Sequence, residues 1–128
     1  MGFAHIALAT RDVRRTARFF EETLGWQPID RPGNIARPAA WLEIAPGQEV
    51  HLIEVDDFAP SPFEREYGRH LAVRFPLDGF DGLKERLRVC GAEVIAAERP
   101  TPFERFFFRE PINGYIFEVI DQSRETAH

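Results

Sequence analysis

The sequence has one cysteine, Cys90, and one methionine, Met1, among its 128 residues. A single thiol excludes an intrachain disulfide and gives no sign of an oxidising compartment, so a reducing cytoplasm is the expected location. No apolar run is long enough to span a bilayer, and the opening Met1-Gly2-Phe3-Ala4-His5 has neither the basic region nor the apolar stretch of a secretory signal. Positive charge is in deficit: 16 Lys and Arg face 21 Asp and Glu, for a formal net charge of -5. The arginines are scattered, which excludes a general nucleic-acid binder dependent on a basic patch. Phosphate loop, dinucleotide fingerprint, nucleophile elbow and zinc-knuckle spacing are all missing.

What is present is a repetition. His5-Ile6-Ala7-Leu8 returns as His70-Leu71-Ala72-Val73, and each copy runs into a helix-like segment closed by a glycine, Gly25 or Gly91. Such self-similarity predicts a duplicated unit. Residues 3–9 alternate as a strand, with Ala4, Ile6 and Leu8 on one face and Phe3, His5 and Ala7 on the other. Asp12 is placed to cap a helix whose stripe is Val13, Ala17, Phe20 and Leu24. A short strand over 27–30 follows, then a loop over 31–34. A hairpin comes next, pairing 40–44 with 49–55 through Ala45-Pro46-Gly47-Gln48.

The second copy has a strand over 70–75 and a helix over 80–90, with Phe80, Leu83, Leu87 and Cys90 on one face. A strand over 93–97 and a hairpin joining 105–109 to 115–120 complete it. The fold class is therefore α+β: two βαβββ modules forming a curved, mostly antiparallel eight-stranded sheet in a single domain. Module 1 covers about 1–56, module 2 about 70–122, and the aperiodic, proline-containing stretch of about 57–69 reads as the linker. Residues after Gln122 are polar and expected to fray.

Superposing the copies matches His5 with His70 and His51 with Glu118. A lone strand histidine is more often a hydrogen-bonded side chain than a ligand, and a lone Glu118 reads as a solvent-facing position. Three of the four histidines at matched strand positions, together with one carboxylate, are what single this set out. Imidazole and carboxylate suit zinc, nickel, cobalt, manganese or iron, so a divalent metal ion is the expected cofactor. Alternation puts each candidate opposite the residues that pack under a helix, so all four can line one concave face. Glu43 shares a face with Trp41, so both are candidate substrate contacts and Glu43 is a second candidate base. Arg74 follows His70 and Ala72 on the same side, where a guanidinium would read an anionic substrate.

The quoted motifs, with Asp12, Phe19-Phe20, Leu24-Gly25-Trp26, W-L-E-I, V-H-L-I-E and N-G-Y-I-F-E-V, resemble the vicinal oxygen chelate superfamily. That superfamily includes glyoxalase I, extradiol dioxygenases, fosfomycin-modifying enzymes and bleomycin-binding proteins. The chain departs from its usual pattern at Phe19-Phe20 and at Glu110-Pro111-Ile112-Asn113-Gly114. The resemblance implies His5, His51, His70 and Glu118 as metal ligands, with Glu118 also able to carry a proton. It implies a metal-dependent lyase or isomerase that chelates adjacent oxygens of a small-molecule substrate and stabilises an enediolate. The alternatives are an extradiol-type ring-cleaving dioxygenase, for which His51 is the discriminator, and a non-catalytic drug-binding protein. The expected assembly is a homodimer with the site shared between chains, binding neither nucleic acid nor membrane.

Overall fold

The computed structural model of the chain describes residues 1–30, 33 and 36–123. Most of the 31–34 loop and the last part of the polar tail, with His128, lie outside the described residues. The chain divides into two compact units, Met1–Ala59 and Pro60–His128. Among the described residues no helix is long and apolar enough to cross a membrane.

The first unit runs β1 (His5–Thr10), α1 (Val13–Thr23), β2 (Gln27–Ile29), β3 (Ala39–Ala45) and β4 (Gln48–Glu54). Its sheet order is β1-β4-β3-β2, with β1 parallel to β4 and the other pairs antiparallel. The second unit repeats the plan with β5 (Leu71–Phe75), a 3-10 turn (Leu77–Gly79), α2 (Phe80–Val89), β6 (Glu93–Ile95), β7 (Arg105–Arg109) and β8 (Ile116–Asp121). Its order is β5-β8-β7-β6, again with one parallel pair. Among the described residues the eight strands thus fall into two sheets of four. Among the described residues the only positive φ angles belong to Gly25, Gly47, Gly91 and Gly114. They mark the two helix ends and the two closing hairpins, the same four points of the repeated plan.

Alternation explains which face of each sheet is buried. In the first unit Leu8, Leu42, Val50 and Leu52 are buried, and so are Val13, Ala17, Phe19 and Phe20 of α1. Asp12 caps the helix as expected, its Oδ1 accepting the Arg15 N–H at 3.0 Å, and Glu54 Oε1 accepts the Val13 N–H at 3.0 Å. Two carboxylates therefore satisfy two of the orphan donors at the helix start. In the second unit Leu83 and Leu87 of α2 are fully buried, as are Phe108, Phe117 and Val119 of the sheet. Burying such a side chain stabilises by roughly 1.5–3 kcal/mol relative to leaving it in water.

Several boundaries move by one or two residues. The first strand begins at His5, since Phe3 is 91% exposed and buries nothing. His70 lies just before β5 rather than inside it. Glu110 is fully buried in the last turn, where it accepts the backbone N–H groups of Ile112 (2.8 Å), Asn113 (2.9 Å) and Tyr115 (3.3 Å). Burial pushes its carboxyl above the ordinary range, and those backbone bonds act against the rise.

The aperiodic stretch has structure of its own. Residues 60–69 belong to the second unit, where Glu64 is buried between the Ile116 N–H (2.9 Å) and the Arg69 guanidinium (2.7 Å). Gly68 is required there: a Cβ would stand 2.1 Å from the Phe63 carbonyl oxygen.

Candidate metal centre

In the first unit the register pairs Ala7 and Trp41 with His51 across three strands, so these side chains share one face, and His5 and Glu43 alternate onto it. His51 is sandwiched: its ring stacks on Trp41 at 3.6 Å and on His5 at 4.0 Å between centroids. Only 7% of His51 is exposed. Its Nε2 lies 2.8 Å from Glu49 Oε1, a contact that needs a proton between them. The Trp41 indole N–H is buried, with no hydrogen-bond partner among the described residues. An orphaned donor of this kind is costly unless something else accepts its bond. Glu43 is exposed, opposite Glu49 across the ladder.

In the second unit the register pairs Ala72 and Phe107 with Glu118. His70 Nε2 lies 3.3 Å from Glu118 Oε1, and its Nδ1 lies 3.3 Å from the Arg65 carbonyl oxygen. A proton on Nδ1 satisfies that carbonyl and leaves the Nε2 lone pair directed toward Glu118. Arg105 takes the other carboxylate oxygen: its Nη1 donates to Glu118 Oε2 at 2.9 Å, and its Nη2 donates to Glu66 Oε2 at 2.9 Å and to the Arg99 carbonyl. Burial acts to lower the Arg105 proton affinity, and the bonds to Glu66 and Glu118 more than offset this, leaving it above its ordinary value. For Glu66 burial acts upward, yet the Glu98 and Arg99 N–H groups and Arg105 bring its carboxyl down to about 2.

His70 and Glu118 suit a divalent ion in donor type and spacing. Two adjacent ligands at about 2.1 Å from one ion stand roughly 3.0–3.4 Å apart, and the His70–Glu118 separation of 3.3 Å falls in that range. Among the described residues no three His, Cys, Asp or Glu side chains are already gathered into a metal shell. The candidate ligands occur as pairs, one in each unit. Arg74 is exposed on the Glu118 face, opposite Ile120, which pairs on its other side with Arg105.

Sequence reasoning missed Glu49, Arg105 and Glu66. Of these only Glu49 carried a signal, since it lies two residues along β4 from His51 and on the same face, whereas Arg105 has no singled-out side chain beside it on β7. Glu66 sits in the aperiodic stretch and carried none.

The profile of the Glyoxalase/Bleomycin resistance protein/Dioxygenase superfamily matches residues 2–119. The chain belongs to that superfamily. Within it, the chain is 23% identical over 119 residues to an Arabidopsis thaliana protein named Glyoxylase I 4, covering 90% of this chain and 67% of the relative. It is 29% identical over 121 residues to a manganese-dependent 2,3-dihydroxybiphenyl 1,2-dioxygenase of Geobacillus genomosp. 3, covering 91% of this chain but only 35% of that enzyme. Its fold resembles a variant of the fosfomycin resistance protein FosX from Listeria monocytogenes, solved with Mn(II) and 1S,2S-dihydroxypropylphosphonic acid. That likeness has a TM-score of 0.75 and 23% identity, over 94% of this chain and 91% of the other.

Proposed function

We propose that this superfamily member is a metal-dependent lyase or isomerase of glyoxalase type, with His5, His51, His70 and Glu118 as the ligands of one divalent ion. The observation that carries the reading is the matched register, in which His51 faces Ala7 and Glu118 faces Ala72, together with the 3.3 Å approach of His70 to Glu118. A bound ion would chelate two adjacent substrate oxygens and stabilise the enediolate left by proton abstraction beside a carbonyl. On this reading Glu118, once its free oxygen loosens from the ion, would accept and return that proton. Trp41 offers an apolar wall to the substrate, and Glu43 offers an exposed carboxylate on the same face. The reading takes the functional molecule to be a homodimer whose two chains complete the ligand set between them.

Metal content by mass spectrometry, on protein purified without chelator, tests the ligand set. Wild type should carry about one divalent ion per site, and His70→Ala should lose most of it. Equal content in the two proteins would sink the assignment. Hemithioacetal turnover then tests the reaction class.

One observation favours a second reading. If Glu49 keeps the His51 Nε2, the set falls to His5, His70 and Glu118, the two histidines and one carboxylate that a ring-cleaving dioxygenase uses. Oxygen uptake with a catechol, in the absence of hemithioacetal turnover, would select that reading.

A further inference from the structure

We infer that Arg105 is a positioning residue for the metal centre: it holds Glu118 with one oxygen turned to the ion and ties that oxygen's orientation to Glu66. The inference rests on the proposed ligand set.

The side chain of Arg105 is only 3% exposed, although it lies on the sheet face that carries Glu118 and not in the core behind it. It forks between two carboxylates at 2.9 Å each, and its guanidinium lies 5.3 Å from the centroid of the Phe107 ring. The geometry divides Glu118 cleanly. Oε2 is held by Arg105 Nη1, whereas Oε1 faces His70 Nε2. A carboxylate held this way can offer the ion one oxygen without rotating, and a planar guanidinium fixes it better than a point charge does. The other arm of the fork is anchored in turn. Glu66 Oε1 accepts the Glu98 N–H at 2.7 Å and Oε2 accepts the Arg99 N–H at 2.9 Å, so the carboxylate that aims Arg105 is fixed to backbone on both oxygens. Glu66 therefore sets Arg105, and Arg105 sets Glu118. Partners that orient a metal ligand in this way typically change affinity 10- to 100-fold when removed.

One net negative charge also remains after Arg105 is counted. Glu118 and Glu66 together carry two, Arg105 returns one, and the balance stays available to a cation. A purely competitive role, in which Arg105 blocks Glu118 until displaced, predicts tighter metal binding on its removal. The positioning role predicts weaker binding.

The experiment is Mn(II) titration followed by the electron paramagnetic resonance signal of the free ion, on wild type, Arg105→Met, Arg105→Lys, Glu66→Gln and Glu118→Gln. Metal-free thermal unfolding of each variant runs alongside. Arg105→Met should bind Mn(II) at least about tenfold more weakly, Arg105→Lys should recover only part of that loss, and Glu66→Gln should fall between Arg105→Met and wild type. Met and wild-type affinities within twofold, tighter binding by the Met variant, or Lys no better than Met would overturn the inference. If Arg105→Met fails to fold, the Lys and Glu66→Gln variants decide, and unchanged affinity in Glu66→Gln overturns it. Loss of binding in Glu118→Gln with retention in Arg105→Met would remove this inference alone. A wild type that binds no Mn(II) would remove the proposed ligand set and this inference with it.

Discussion

The two units carry their candidate ligands at the same register and hold them by different physics. In the first unit aromatic faces dominate: Trp41, His51 and His5 form a three-ring stack, with one carboxylate, Glu49, on the central imidazole. In the second unit charge dominates. Phe107 occupies the place of Trp41 and meets His70 only edge-on at 5.2 Å, while Arg105 and Glu66 form a chain of ion pairs ending on Glu118. Duplication of backbone plan thus left the side-chain chemistry free to diverge. One half presents stacked aromatic rings, and the other presents a fixed carboxylate with a cation behind it.

The largest effect expected from breaking this division concerns the two arginines that flank Ile120. Arg105 is committed to two carboxylates, whereas Arg74 is exposed on the same face. On the proposed reading, Arg74 is the cation that would meet a substrate carboxylate or phosphate. Arg74→Met should lower kcat/KM for anionic substrates roughly 10- to 100-fold, the equivalent of one charge-assisted pair, and leave neutral substrates within about twofold. Uniform loss across both substrate classes would show that Arg74 does not read charge.

The second unit's dependence on ion pairs also has a sign in pH. Glu66 is depressed from its ordinary value of 4.5 to about 2, so it contributes stability above the higher value, and that contribution is lost as pH falls toward the lower one. Glu110 runs the other way: its carboxyl is raised, so protonation below its folded value relieves a penalty. Between pH 4.5 and 2 the Glu66 contribution is the one being lost. Hydrogen exchange across that range should show residues 98–109 loosening in wild type, and Glu66→Gln should already be loosened at neutral pH with a flatter acid response. An acid response unchanged by Glu66→Gln would place the sensitivity elsewhere.

Much of this arrangement was legible in the sequence because it rests on short periods. Alternation along His5 to Leu8 and His70 to Val73, with glycines about one helix farther on, was enough to read two βαβββ units and the faces of their strands. The four candidate ligands and Arg74 came from the same alternation. Its reach ends where contacts leave the period. Glu66 meets Arg105 across 39 residues through a segment with no repeating pattern, and Glu64 reaches Ile116 across 52. Long-range polar pairs of that kind depend on how a strap lies on a sheet, which no local spacing encodes. Trp41 was picked out as a substrate contact, but its stacking on His51 needed the β3–β4 register, and a one-residue slip would have turned it to the other face.

The helices extend the comparison, and the smallest expected effect lies there. The first turn of α2 carries Asp81 and its last turn Arg86 and Arg88, in the sense that suits the helix dipole, and it has no side-chain cap. Helix α1 has the reverse arrangement. Arg14 and Arg15 lie in its first turn, Glu21 and Glu22 near its end, and no acidic residue stands in the first turn to compensate. The negative charge it needs comes from outside, from Asp12 on the Arg15 N–H and Glu54 on the Val13 N–H. Asp12→Ala should therefore destabilise the first unit by about 1 kcal/mol, lowering its melting temperature by roughly 3–5 °C. Asp12→Asn separates the two contributions, since the amide oxygen keeps the capping bond and only the charge is lost; its expected cost is about 0.3 kcal/mol. Adding 1 M salt should shrink the difference between Asn and wild type, because it screens an exposed charge, and leave the Ala deficit largely in place. A loss in Asp12→Asn as large as in Asp12→Ala would mean that the dipole term, not the hydrogen bond, holds this helix end.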